Sequence, residues 1–209
     1  MATTLYGFDG STYVRTAKIV LRRKGVDYDQ VPVNVLEGEP RQAEHLARHP
    51  FGKVPVLDID GHRIRETDAI VTYVERTREG PSAIPESAWD AGRMTEIMSL
   101  IHSYGYDALL GTAFYHIKPD FIGNPGEEAH HETLERAKTF LRLVDEIRAG
   151  DDWLAGPGVS LADYMLGPIV FYTNMTPHKD ELLDVGGTRD WYERLSADPD
   201  FAATEPNLG

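Results

Sequence analysis

The sequence predicts an α/β unit in the first third of the chain and an all-α unit after it. Three observations predict this division. Strand and helix patterns alternate up to about residue 78. A stretch rich in chain breakers follows, Gly80-Pro81-Ser82 through Pro85. Beyond it the strand pattern vanishes and apolar residues recur at helical spacing. A chain of 209 residues is long enough for one large domain or two modest ones.

Taken in order, Thr4 to Phe8 reads as a short strand. Ser11 or Thr12 opens a helix with Val14, Ala17, Val20 and Leu21 on one face, and Gly25 stops it. Tyr28 to Val35 alternates as a second strand. Gln42 to Arg48 is a short helical piece that ends before Pro50. Val54 to Ile59 and His62 to Arg65 form a hairpin about Asp60-Gly61, a strong turn pair. Thr67 to Arg78 is a helix that buries Ile70, Val71 and Val74. This is the thioredoxin-like order, a mixed sheet with helices on both faces, and it spans residues 1 to 78. Residues 79 to 88 are a linker. Residues 89 to 209 form an all-α helical bundle domain. In it Met94, Ile97, Met98 and Ile101 mark a long helix running towards Tyr115. Leu134, Ala137, Leu141 and Val144 mark another, ending at Gly150. Ser160 to Tyr172 is a third, and Trp191 and Leu195 belong to a short last one. Pro119 to Gly126 is a loop.

Composition narrows the function. Lys and Arg total 21 against 34 Asp and Glu, a net charge of −13. That disfavours nucleic acid and anionic membrane as partners, since both are polyanions. No apolar run reaches the roughly 20 residues of a membrane span, and no signal segment opens the chain, so a cytoplasmic location is expected. Cysteine is absent, which removes disulfides, thiolate metal sites and catalysis by a protein thiol. The eight His show no metal-binding pattern, and adjacent His130 and His131 point apart on a helix, so no metal is expected. No Gly-x-Ser-x-Gly elbow or phosphate loop is present. Ser160 with Asp163 is a helix capping box.

The segment His49-Pro50-Phe51-Gly52-Lys53-Val54-Pro55-Val56-Leu57 carries the strongest functional signal. A Val-Pro pair at the mouth of an apolar run suggests a backbone edge offered to a peptide-like ligand. Glu66, one hairpin later, is a carboxylate placed to hold an amine. Each residue also has a plain reading. Pro55 alone is a strand-entry proline, Ser11 alone is a helix N-cap, and Glu66-Thr67 alone is a cap with an acidic first turn.

Together these segments resemble the cytosolic glutathione transferases over essentially the full length. Leu5-Tyr6-Gly7 with Ser11-Thr12 and Arg15 resembles the serine-type classes, and the chain looks like a phi- or theta-like bacterial member. His49 to Leu57 is similar to the family's Asn/His-Pro-Phe-Gly-Lys/Gln-Val/Ile-Pro segment. Glu66-Thr67-Asp68-Ala69-Ile70 resembles its Glu-Ser-Arg-Ala-Ile motif, with Thr67 for Ser and Asp68 for an Arg that commonly supports the dimer. Ser160-Leu161-Ala162-Asp163 resembles the capping box of its helical domain.

The resemblance implies the glutathione transferase fold, glutathione as cosubstrate and a homodimer. It implies a cis Val54–Pro55 bond, with the backbone of Val54 pairing the cysteinyl part of glutathione as at a sheet edge. Thr67 would bind the γ-glutamyl carboxylate and Glu66 its ammonium group. Pro40 stands where phi-like proteins often carry His, so Arg41 or Lys53 would supply the cation for the glycyl carboxylate. Ser11 would donate a hydrogen bond to the glutathione sulfur and favour the thiolate. Tyr6 is its main rival and Thr12 a weaker one. Arg15 either supports the site or is solvated. A second substrate, a small hydrophobic electrophile, would lie between the domains near Tyr104, Tyr106, Phe114, Tyr115 and His116, although half of these could be core or dimer contacts. Without cysteine, mixed-disulfide chemistry through the protein is excluded, and the Ser-Ser-Cys run of zeta-type isomerases is absent. Open alternatives are a non-catalytic glutathione-binding module on the same fold, or a glutathione-dependent isomerase, dehalogenase or peroxidase.

Overall fold

The computed structural model describes residues 2–208, which divide into two compact units. The first runs to Pro81 and also takes in the stretch from Pro199 onward. The second is Ser82–Asp198.

The first unit is built on a four-stranded mixed sheet of order β2-β1-β3-β4. Strand β1 (Thr4–Tyr6) runs parallel to β2 (Asp29–Val31) and antiparallel to β3 (Val56–Ile59). β3 turns through Asp60-Gly61, both at positive φ, into β4 (His62–Arg65), the geometry a tight hairpin favours. Helices α1 (Thr12–Arg23) and α3 (Thr67–Thr77) pack on each other, and α2 (Ala43–Leu46) is a single turn. The expected apolar faces are buried: Val14, Ala17, Val20 and Leu21 from α1, and Ile70, Val71 and Val74 from α3. A buried ion pair, Lys24 to Glu75 at 2.9 Å, ties the end of α1 to α3.

Strand β2 is shorter than the sequence pattern. Pro32 has no N–H to give the ladder, and the Asn34 side chain then accepts from the N–H of Leu36, starting a 3₁₀ turn at Val35–Glu37.

The second unit is all helical. It contains α4 (Ala88–Leu100), α5 (Tyr106–Ile117), α6 (Glu127–Arg148), α7 (Leu161–Thr173), α8 (Lys179–Leu183) and α9 (Thr188–Ser196). The one long helix expected from Met94 towards Tyr115 is interrupted by a π turn at Ile101–Gly105. Gly105 lies against the Phe140 ring of α6, where a Cβ would come within 2.5 Å of the ring. A 3₁₀ turn, Pro119–Ile122, occupies part of the expected loop. Short α8 carries too little apolar pattern to stand out in the sequence.

The capping box forms as read, with the Asp163 carboxylate accepting from the Ser160 N–H at 2.8 Å. It also accepts from the Ser160 hydroxyl, the Leu154 N–H and the Trp191 indole N–H, so it joins three segments of the unit.

The last turn, α10 (Pro199–Ala202), packs on α1 in the first unit, whereas the sequence reading placed all of 89–209 together. Arg15 is the cause. It is buried, donates to the carbonyl of Phe201 at 3.1 Å and stacks 4.0 Å over the Phe201 ring. The solvated alternative for Arg15 is therefore set aside.

Candidate functional site

Sheet register brings the singled-out segments of the first unit to one end. Tyr6 pairs with Val31 and with Val56, and Val56 pairs with Arg65. The chain leaves β1 towards Ser11 there and leaves β2 towards Arg41. It enters β3 through Val54-Pro55 and leaves β4 into Glu66-Thr67.

Ser11 caps α1. Its Oγ accepts from the Val14 N–H at 3.4 Å, a long bond that leaves the hydroxyl proton available. No acidic residue occupies the first turn of α1, so the positive helix end is not neutralised there. The approach to Ser11 is held by Asp9, which accepts from Lys18 at 2.7 Å and Gln30 at 3.0 Å, while Gln30 also donates to the carbonyl of Gly7. Burial works to raise the Asp9 carboxyl, but these two donors hold it below its ordinary value.

Tyr6 is committed elsewhere. Its hydroxyl donates to Asp58 at 3.2 Å, and the Arg48 guanidinium lies 4.4 Å over its ring. Hydrogen bonding from Arg63 holds Asp58 below the ordinary carboxylate range, so it stays an acceptor for Tyr6 at neutral pH. Thr12 Oγ1 is buried, with no partner among the described residues.

The Val54–Pro55 bond is cis. Among the described residues, Val54 makes no backbone hydrogen bond outside the regular elements. The preceding loop is fixed from behind by buried His45, whose Nε2 donates to the carbonyl of Lys53 at 2.8 Å. Gly52 has φ +59°, and a Cβ there would lie 2.7 Å from the Pro40 carbonyl oxygen and 3.3 Å from Cδ of Arg41. This close approach sets Arg41 beside the loop carrying Lys53. Both cations are exposed, and neither forms an ion pair among the described residues.

Glu66 sits at φ 67°, ψ 132°, a conformation uncommon for a side-chain-bearing residue. Its carboxylate faces Nε2 of buried His49 at 3.3 Å. The Phe51 N–H donates to Nδ1 of His49, which leaves Nε2 as the donor to Glu66. Thr67 begins α3 and is buried. The sequence reading missed His45, His49, Asp9 and Gln30. Only the His-Pro-Phe-Gly spacing hinted at His49.

In the second unit the five residues assigned to the electrophile divide. Phe114 packs edge-on against Phe121 at 5.4 Å and near Tyr172. Tyr115 stacks on His130 with centroids 3.8 Å apart. Tyr104, in the π turn, is exposed, and Tyr106 begins α5 half-buried.

The reading that the histidines form no metal pattern is corrected by the fold. His116, His130 and His178 converge, with ligand nitrogens all within 4.8 Å of one another. His130 and His131 do point apart, but the partners of His130 come from α5 and from the turn before α8. Burial and then His178 push His116 below its ordinary pKa, and burial with His116 and His178 does the same for His130. Among the described residues no helix is long and apolar enough to cross a membrane.

The N-terminal domain model of the glutathione S-transferases matches residues 5–82, and their C-terminal domain model matches residues 127–194. A probable glutathione S-transferase of Oryza sativa subsp. japonica is 30% identical over 93% of this chain and 92% of its own. This chain belongs to the glutathione S-transferase family. It is also similar to a maleylacetoacetate isomerase of Rhizobium meliloti, 41% identical over 81% of this chain and 80% of that one. The crystal structure of glutathione transferase F7 from Populus trichocarpa superposes with a TM-score of 0.85 at 25% identity, covering 97% of both chains. Glutathione S-transferase I from maize, solved with an atrazine glutathione conjugate, gives 0.83 at 26% identity over 98% of both.

Proposed function

We propose that this family member is a glutathione transferase in which Ser11 makes the cosubstrate's own thiol reactive. The observation that supports the reading is the sheet register, which turns the chain towards Ser11, Val54 and Glu66-Thr67 at one end of one sheet, with Arg41 beside the Gly52–Val54 loop. Val54 and Pro55 receive the cysteinyl backbone. Thr67, at the start of α3, takes the γ-glutamyl carboxylate, with Glu66 on the ammonium group. Arg41 and Lys53 face the glycyl carboxylate. The Ser11 hydroxyl donates to the sulfur, and the end of α1 adds its partial positive charge. A free thiol with a pKa of about 8.5 is mostly protonated at neutral pH. Stabilising the anion lowers that value. The thiol proton passes to solvent, and the thiolate attacks a small hydrophobic electrophile, forming a carbon–sulfur bond as the leaving group departs. The engagement of Tyr6 with Asp58 favours Ser11 over Tyr6.

Ser11→Ala tests this. Bound glutathione is expected to lose its thiolate absorbance at neutral pH while affinity changes little. A hydrogen bond to an anion contributes about 1.5–3 kcal/mol, so conjugation should slow about 10- to 100-fold. Unchanged thiolate would sink the assignment and turn attention to Tyr6.

A second reading rests on the 41% identical relative named an isomerase. Product analysis separates the two, because a transferase accumulates a thioether conjugate while an isomerase returns glutathione unchanged. We also propose a homodimer with a cytoplasmic detoxification role. Phe51, 74% exposed in the first unit, offers apolar surface to a second copy. A single-chain mass by sedimentation would remove the dimer.

A further inference from the structure

Three histidines distant in sequence meet at one edge of the helical unit: His116 in the last turn of α5, His130 in the first turn of α6, and His178 just before α8. Nε2 of His130 and Nε2 of His178 are 3.1 Å apart. A tetrahedral zinc ion with bonds of about 2.0–2.1 Å separates two ligand nitrogens by about 3.3–3.4 Å. That pair already stands at nearly this spacing. His116 lies within 4.8 Å of both and is exposed, so a rotamer change can bring it in.

Neighbours fix the ligand geometry. Nδ1 of His178 donates to Glu181 at 2.9 Å, so the proton sits on Nδ1 and the Nε2 lone pair faces the cluster. A carboxylate behind a ligating imidazole is the usual outer partner at zinc sites. Glu181 is in turn held by Lys138 at 2.5 Å, which also binds Glu135. On the other side Tyr115 stacks flat on the His130 ring, 7° from parallel, and sets its plane.

We propose that His116, His130 and His178 bind one divalent transition-metal ion of the zinc type, with the fourth position open to water. Three neutral imidazoles suit zinc over magnesium or calcium, which prefer oxygen ligands. The ion would clamp the end of α5, the start of α6 and the turn before α8. This site shares no residue with the proposed glutathione site.

The test uses full-length protein without a histidine tag, stripped with chelator and free of glutathione, which itself binds zinc. Calorimetric titration with Zn²⁺ is expected to show one ion per chain and a raised melting temperature. Co²⁺ should give the intense visible bands of a tetrahedral site. His116→Gln, an exposed position that should not disturb folding, is expected to weaken Zn²⁺ binding at least about 10-fold. Glu181→Gln should weaken it by about 10-fold or more through His178. Absence of stoichiometric Zn²⁺ binding overturns the proposal and leaves a hydrogen-bonded His130–His178 pair. Equal Zn²⁺ binding by wild type and His116→Gln overturns it also, because the ion would then sit elsewhere.

Discussion

Asp163→Ala is expected to leave the helical unit without a stable native state. The wild-type carboxylate is fully buried and receives four donors. The Ser160 N–H and hydroxyl lie at 2.8 and 2.7 Å, the Leu154 N–H at 3.0 Å and the Trp191 indole at 2.7 Å. Trp191 belongs to α9, Ser160 caps α7 and Leu154 lies in the loop before it, so one side chain joins three segments. Alanine orphans all four donors in a dry environment. Each buried unsatisfied group costs about 1–3 kcal/mol, while a whole domain is stable by only about 5–15 kcal/mol. Urea unfolding should show a loss of at least about 4 kcal/mol, or no cooperative transition. A loss under about 2 kcal/mol would mean that water or a rearrangement satisfies the donors.

The same residue gives stability a pH dependence. Burial pushes the Asp163 carboxyl above its ordinary value, against the pull of its donors. The native state then binds the proton more tightly than the unfolded chain does. Its contribution is fully present below the ordinary Asp value and is lost as pH rises through the raised one. Asp163→Asn keeps the shape and removes the titration. The stability difference between wild type and this variant is expected to narrow as pH rises across that window.

What was legible in the sequence was local. The Ser11 cap, the Asp60-Gly61 hairpin and the Ser160–Asp163 box each depend on residues within a few positions of each other, and each forms as read. Helix faces follow from spacing, and α1 and α3 bury the expected residues. The π turn was not legible, and neither was the contact of Gly105 within it with Phe140, on another helix. His49 behind Glu66 and His45 behind Lys53 depend on how a loop folds back on itself. The histidine cluster is the extreme case. His130 and His178 are 48 residues apart, and only the packing of α5, α6 and α8 brings them together. Pairwise spacing rules cannot find ligands drawn from three helical segments.

Gly52→Ala is expected to cost more glutathione affinity than stability. Two effects act at this position. A side chain at φ +59° costs about 1–2 kcal/mol through its own backbone. The new Cβ would also sit 2.7 Å from the Pro40 carbonyl oxygen, and backbone cannot swing aside as a long side chain does. Either the Pro40–Arg41 segment retreats or the Gly52–Val54 loop does. The His45 hydrogen bond to Lys53 resists the second movement. Both choices part Arg41 from Lys53 and Val54, the groups proposed to grip the glycyl and cysteinyl ends of glutathione. Losing one hydrogen bond to a charged group costs about 1.5–3 kcal/mol, so the Kd for glutathione should rise by about 10- to 100-fold. Gly25→Ala supplies the control. Gly25 has nearly the same φ, +61°, but open space around it, and it lies at the far end of α1 from Ser11. It should lose only the backbone share, about 1–2 kcal/mol, and keep its affinity within a few-fold. Equal affinity loss in both variants would show that general destabilisation weakens binding, and the assigned roles of Arg41, Lys53 and Val54 would fall.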